Sequence, residues 1–142
     1  LLKDLIEKVS QLMKPELKKT AIQFESVCES DYLTIQADAE MIEQVLINLI
    51  KNAMEASENN SHSHILLKGL TRDNAVCIEV TDNGPGIIPE AIERIFVPFF
   101  TTKKTGSGIG LALSRQIMQM HNGTLTVQSE PDVRTTFTLR FS

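Results

Sequence analysis

Asn48-Leu49-Ile50-Lys51-Asn52-Ala53, Asp82-Asn83-Gly84-Pro85-Gly86-Ile87 and Gly106-Ser107-Gly108-Ile109-Gly110-Leu111 follow one another in this chain as an asparagine-bearing helix and two glycine-rich turns. The first lies inside a longer apolar pattern. Ile42, Val45, Leu46, Leu49, Ile50 and Ala53 recur at helical spacing and define one buried face, with Ile47 and Met54 on the far side. Between these flanks Gln44, Asn48, Asn52 and Glu55 form a polar stripe, at spacings of four, four and three that keep it on one line. An amide beside apolar surface needs a partner, since leaving it unpaired costs about 1–3 kcal/mol. That partner is either nearby loop backbone or a ligand. The two glycine turns downstream favour the ligand.

Val76, Ile78 and Val80 alternate along a predicted strand, and Asp82 continues their inward register. A carboxylate facing the core is costly unless paired, so Asp82 calls for a donor. Gly84 and Gly86 allow positive φ and close approach of backbone, and Pro85 stiffens the turn. Asp-Asn-Gly is also an ordinary surface-turn signal. In the last strand Thr135, Phe137, Leu139 and Phe141 share a face, which points Thr135 inward like Asp82. Gly106, Gly108 and Gly110 open a helix, and N–H groups at a helix N-terminus form an anion cradle. Lys103 and Lys104 stand just before it, and Ser107 adds a hydroxyl. Neither turn has the Gly-Lys-Ser/Thr ending of a Walker A loop. The second also lacks the spacing and preceding strand of a dinucleotide fingerprint.

In this order, with Pro98-Phe99-Phe100-Thr101-Thr102-Lys103 between the turns, the motifs resemble the ATP-binding catalytic domain of sensor histidine kinases, in the GHKL ATPase superfamily. They match its N, G1, F and G2 boxes, and the resemblance spans nearly the whole chain. It implies a Bergerat-type fold that binds ATP with Mg²⁺. It implies that Asn52 is the metal ligand and that Asn48 faces the phosphates or metal-bound water, with Asn48, Asn52 and Lys103 as catalytic residues. Asp82 and Thr135 would read the adenine edge. Gly84, Gly86, Ile87, Lys103, Gly106, Ser107, Gly108, Gly110 and Leu111 would complete the nucleotide site. The chain departs from the family pattern twice. Glu55 stands three residues after Asn52, where relatives often carry a basic residue, and Arg134 replaces the glycine of the usual Gly-Thr-x-Phe.

The resemblance also implies a reaction, delivery of the γ-phosphoryl group of ATP to a histidine on a separate dimerisation domain, with a response regulator receiver domain as an indirect partner. The family's acceptor box is a His-Glu pair, and no histidine here is followed by glutamate. Alternatives are an anti-sigma-factor-type serine kinase, a non-catalytic nucleotide-sensing module, and the gyrase-type and chaperone-type ATPases. In the serine kinases and ATPases a Glu four residues before the metal Asn acts as base. Here that residue is Asn48, which favours histidine transfer.

Length and composition suit one soluble domain over residues 1–142, and the resemblance implies that 1–14 continue from an upstream dimerisation hairpin. The net charge of −4 argues against nucleic acid as the main partner. No apolar run approaches the roughly 20 residues of a membrane span, so no membrane contact is expected of this segment. A cytoplasmic, monomeric fragment is expected, with Cys28 and Cys77 as reduced, buried thiols. The periodicity predicts a helix over 1–13 ended by Pro15, strands at 20–28 and 33–37, and a helix from an Asp38 cap to about Ser57. It then predicts a polar loop at 59–64, a hairpin of 65–72 and 75–82 turning at Asp73-Asn74, and a short helix after Pro89. A mobile loop at 97–107 follows, tied to the core by Phe96, Phe99 and Phe100. The helix at 108–121 closes at Asn122-Gly123, before strands at 124–129 and 135–141. His62, His64 and His121 lack metal-ligand spacing and read as structural or exposed. The fold class is α/β, a two-layer α/β sandwich with helices on one face of a mixed sheet.

Overall fold

The computed structural model of the chain describes residues 1–57, 62–92, 94–97 and 110–141. In chain order the elements are α1 (Leu2–Lys18), β1 (Gln23–Cys28), α2 (Ala39–Ala56), β2 (His64–Arg72), β3 (Ala75–Asp82), α3 (Pro89–Ile92), α4 (Gly110–Met120), β4 (Thr124–Glu130) and β5 (Arg134–Phe141). The strands form one sheet in the order β1-β2-β3-β5-β4. β1 runs parallel to β2, and the other neighbours are antiparallel. This is the mixed sheet that the sequence predicts.

The hairpin β2–β3 shows how the sequence sets the register. Asp73 and Asn74 both take positive φ, 52° and 65°, which suits a two-residue turn between twisted strands. The turn pairs Arg72 with Ala75 and carries the register up to Ile65 opposite Asp82. On one face of the sheet Ile65, Leu67, Ile78, Val80, Phe137, Leu139 and Leu125 are buried and share one core cluster with residues of α1, α2 and α4. α1 lies over β1 and β2, α2 over β2 and β3, and α4 over β4. Gly69 lies directly beneath α1: a Cβ there would come within 2.8 Å of Leu2 and Ile6 side chains. The opposite face carries Lys68, Glu79, Thr126, Thr136 and Thr138, which lie between exposed and half-buried.

α2 starts where its cap predicts. Asp38 Oδ1 accepts the N–H groups of Glu40 and Met41 at 3.0 and 3.3 Å. Ile42, Val45, Leu46, Leu49, Ile50 and Ala53 are all buried on the predicted face.

Three expectations need correction. α1 does not end at Pro15 but runs through it to Lys18. Pro15 is exposed and loses one helical hydrogen bond, yet the next turn buries Leu17 in line with Val9 and Met13. The segment 33–37 forms no strand, although Leu33, Ile35 and Ala37 alternate as half-buried residues packed on the core. Its alternation reports one-sided burial without ladder pairing: the Leu33 carbonyl accepts the Leu2 N–H at 2.9 Å instead. Cys77 is buried, but Cys28 is only half-buried and donates from Sγ to the Ser30 carbonyl. Replacing Asp38 by Ala should cost about 1 kcal/mol of stability. Urea denaturation should show a lower midpoint with an unchanged slope.

Candidate functional site

β3 ends with its last side chain still facing the helices. Asp82 is 4% exposed, and it sits between Ile65 on β2 and Thr135 on β5 in the strand register. Among the described residues its one hydrogen-bond donor is the Gly84 N–H, which reaches Oδ1 at 2.9 Å. Burial pushes the Asp82 carboxyl above its ordinary value, and the Gly84 N–H offsets part of that rise. A carboxylate has two oxygens and room for several donors. The position is therefore polar, buried and short of partners.

The turn after Asp82 is held from two sides. Asn83 Oδ1 accepts the His64 N–H at 2.8 Å, while its Nδ2 donates to the His62 carbonyl at 2.8 Å. On the other side stands the β4–β5 hairpin. Asp132 N–H donates to the Pro85 carbonyl, and Ile87 N–H donates to Ser129 Oγ at 2.7 Å. Gly86 has φ of 76°, and a Cβ there would lie 2.7 Å from the Glu130 carbonyl. Only glycine meets both demands without strain.

α2 forms the next wall. A Cβ on Gly84 would stand 3.0 Å from the Ala56 carbonyl, so the turn abuts the end of α2. Asn52, half-buried, lies one helical turn before Ala56, and Asn48 one turn before Asn52. Asn48 Nδ2 donates to Ser114 Oγ at 3.1 Å, and Ser114 is 3% exposed on α4. The Asn48 Oδ1 atom lies 2.5 Å from where a Cβ on Gly110 would stand. α4 thus begins against the asparagine stripe.

The structure therefore sets Gly110 against Asn48 and Gly84 against the end of the same helix, with Asn52 between them along α2, Asp82 opposite Thr135, and Gly86 against the β4–β5 hairpin. Thr135 is 5% exposed, directly opposite Asp82. Ile87 and Leu111 are partly buried against the core beside them. Gln44 and Glu55 are exposed at the ends of the stripe. Lys103, Gly106, Ser107 and Gly108 lie outside the described residues, as do Phe99 and Phe100 and most of the loop expected at 97–107. Phe96 does pack on the core, edge-on to Phe137 at 6.4 Å between ring centroids, with the Arg115 guanidinium 4.6 Å above it. Arg134 opens β5 in ordinary register opposite Glu130 and ion-pairs with it at 3.0 Å. The left-handed conformation of this turn falls on Asp132, with φ of 64°.

Sequence reasoning missed Asn83, Ser114 and Ser129 as hydrogen-bond partners of these segments. Asn83 stood inside a motif read for its glycines. The partners of Ser114 and Ser129 come from distant segments, and neither residue carries a motif of its own.

Residues 37–142 match the family of histidine kinase-, DNA gyrase B- and HSP90-like ATPases, and the chain belongs to that family. Within it, the likeness is to sensor histidine kinases. The chain is 37% identical to the sensor histidine kinase ZraS of Escherichia coli (strain K12) over 97% of its own length, and it spans 29% of that protein. The solved catalytic domain of the histidine kinase ThkA superposes with a TM-score of 0.86 at 33% identity, over 99% of this chain and 92% of that one. The structure of ThkA with the response regulator protein TrrA matches with a TM-score of 0.81 at 31% identity, over 99% of this chain and 40% of that one. The chain corresponds to the catalytic, ATP-binding domain of a sensor histidine kinase.

The buried carboxylate has a consequence for stability. Because burial raises the folded-state pKa of Asp82, its ionisation opposes folding. Stability is lost as pH rises from the ordinary carboxylate range through that raised value. Asp82→Asn should therefore melt above the wild type at pH 7, and the two should converge at acid pH. A wild type that melts higher at pH 7 would contradict this account.

Proposed function

We propose that this domain binds Mg·ATP and passes its γ-phosphoryl group to a histidine on a separate dimerisation and phosphoacceptor domain, in two-component signalling. The observation that carries the reading is Asp82, buried at 4% exposure with one donor and facing Thr135 across the strand pair. An adenine exocyclic amine supplies the missing donor, and the Thr135 hydroxyl serves a ring nitrogen. The residues present fit the nucleotide: a buried carboxylate at the base end, and bare glycines where the chain crosses α2.

Asn52 would hold Mg²⁺ through its side-chain oxygen, a hard neutral donor suited to that ion. Bound there, the metal would neutralise phosphate charge, on which phosphoryl transfer depends. Asn48 lies one turn away, and its amide nitrogen is engaged by Ser114. That bond turns its oxygen toward the start of α4. Lys103 and the glycines at 106 and 108 would complete the phosphate end. A response regulator is the indirect partner that this reading requires, and a cytoplasmic location goes with it. Among the described residues no helix is long and apolar enough to cross a membrane.

Calorimetry tests the reading directly. The folded chain should bind Mg·ATP, Asp82→Asn should remove base selectivity, and Asn52→Ala should weaken chiefly the Mg²⁺-dependent part. Absence of any adenine nucleotide binding by the wild type would sink the reading. Supplying the cognate acceptor hairpin in trans should give acid-labile phosphate on that hairpin and none on His62, His64 or His121.

Hydrolysis offers a second test. A general base must lie within hydrogen-bond reach of the water it activates. Asn48 is a neutral amide already donating to Ser114, and it cannot accept that proton. Loss of such a base typically costs a factor of about 10² to 10⁴. Steady-state phosphate release should therefore be very slow. Asn48→Glu should raise it while leaving binding largely intact. Fast turnover by the wild type would move the assignment toward the ATPases.

A further inference from the structure

We propose that Ser129 is a positioning residue for base recognition: its hydroxyl keeps the Thr135 proton away from Asp82, so that the buried carboxylate stays open to a base amine. This inference rests on the nucleotide-binding reading above.

Ser129 lies on β4, half-buried, in the inward-facing set with Leu125 and Val127. Its Oγ has three polar neighbours. Ile87 N–H reaches it at 2.7 Å, the Arg134 carbonyl lies at 3.2 Å, and Thr135 Oγ1 lies at 3.4 Å. A serine hydroxyl has one hydrogen and two lone pairs. An amide N–H can only donate, so Ile87 takes one lone pair. A carbonyl can only accept, so Arg134 takes the hydrogen. What remains for Thr135 is the second lone pair, so Thr135 donates to Ser129.

The alternative acceptor for that proton stands directly across the ladder. Asp82 and Thr135 are register partners, and side chains in such pairs lie about 4.5–5.5 Å apart at Cβ, within mutual reach. Were Thr135 to donate there, the carboxylate would be satisfied from within the protein and would compete poorly for a base amine. At 3.4 Å the bond to Ser129 is long and weak. Thr135 is nonetheless turned toward Ser129, with no bond from its hydroxyl to Asp82 among the described residues, so a base nitrogen that approaches more closely can take its proton. Two backbone groups, Ile87 N–H and Arg134 C=O, fix Ser129 in that role.

The test uses the ligand-free protein first, which separates it from the functional reading. The titration of the Asp82 side chain, followed by carboxyl carbon NMR, should shift to lower pH in Ser129→Ala, because Thr135 then donates to the carboxylate. The shift should vanish when Thr135→Val is added. An Asp82 titration unmoved by Ser129→Ala, or moved equally in the Thr135→Val background, would overturn the proposal. Should Ser129→Ala fail to fold, Ser129→Cys makes the same comparison, since a thiol keeps the shape but accepts weakly. In calorimetry Ser129→Ala should bind Mg·ATP about tenfold more weakly, the loss of roughly one neutral hydrogen bond, and Ser129→Thr should restore it. Equal Mg·ATP affinity in Ser129→Ala and wild type would also overturn the proposal. If the Asp82 titration shifts as expected in Ser129→Ala but the wild type binds no Mg·ATP, the proton arrangement stands while the functional reading and, with it, the role of Ser129 in base recognition are overturned.

Discussion

A carboxylate carried into the apolar layer is the constraint from which the site is built. Asp82 ends the central strand β3, flanked by β2 and β5 and covered from the helix side. It cannot leave that position by a register slip, because a shift of one residue would turn Ile78 and Val80 outward with it. The tight turn at Asp73-Asn74 fixes the register from the other end. The strand therefore delivers a charge to a place where charge is unfavourable, and the surrounding segments are arranged around its partial satisfaction. The Gly84 N–H gives it one bond. Asn83 and the β4–β5 hairpin hold the turn that supplies this N–H.

The helix layer answers a second demand, that of keeping polar side chains ordered on an otherwise apolar helix. α4 meets it at two points along α2. Ser114 engages the Asn48 amide, and His121 reaches the helix start, where its Nε2 lies 3.1 Å from the Asp38 N–H. A backbone amide can only donate, so Nε2 is the acceptor and the proton sits on Nδ1, directed at the Ile117 carbonyl 2.8 Å away. The ring thus holds one tautomer while joining the end of α4 to the cap of α2. Site and scaffold are connected through these few polar bonds between large apolar contacts.

The apolar periodicities were readable in advance because they record burial. The six inward residues of α2, the alternation into Asp82 and Thr135, and the hairpin turn all appear as expected. The same signal misled at 33–37, where alternate burial occurs without a strand partner, and Pro15 was read as a stop although the turn beyond it buries Leu17. The candidate site was legible where a motif carries its own physical demand, as in the buried Asp82 and the close-packed Gly84 and Gly86. It was opaque where a polar side chain works through a distant segment. Nothing in Ser129 or Ser114 as residues announces Ile87, Thr135 or Asn48 as partners. Arg134 departs from the family's glycine, yet it sits in ordinary strand conformation, and the left-handed residue of this turn is Asp132, a type that visits that region.

The placement of α1 and β1 bears on where this domain begins as a folding unit. The family match starts at residue 37. Yet Leu2 and Val9 are fully buried, Leu5, Ile6 and Met13 nearly so, and all join the same core cluster as α2 and the inner strands. β1 supplies the parallel edge beside β2, and Gly69 is bare so that α1 can lie close upon it. A chain trimmed to the family boundary would open a hydrophobic trough over β2 and leave that strand's backbone groups unpaired, a combination that favours association between copies. The recognisable ATPase sequence and the hydrophobic core that carries it are thus offset by one helix and one strand.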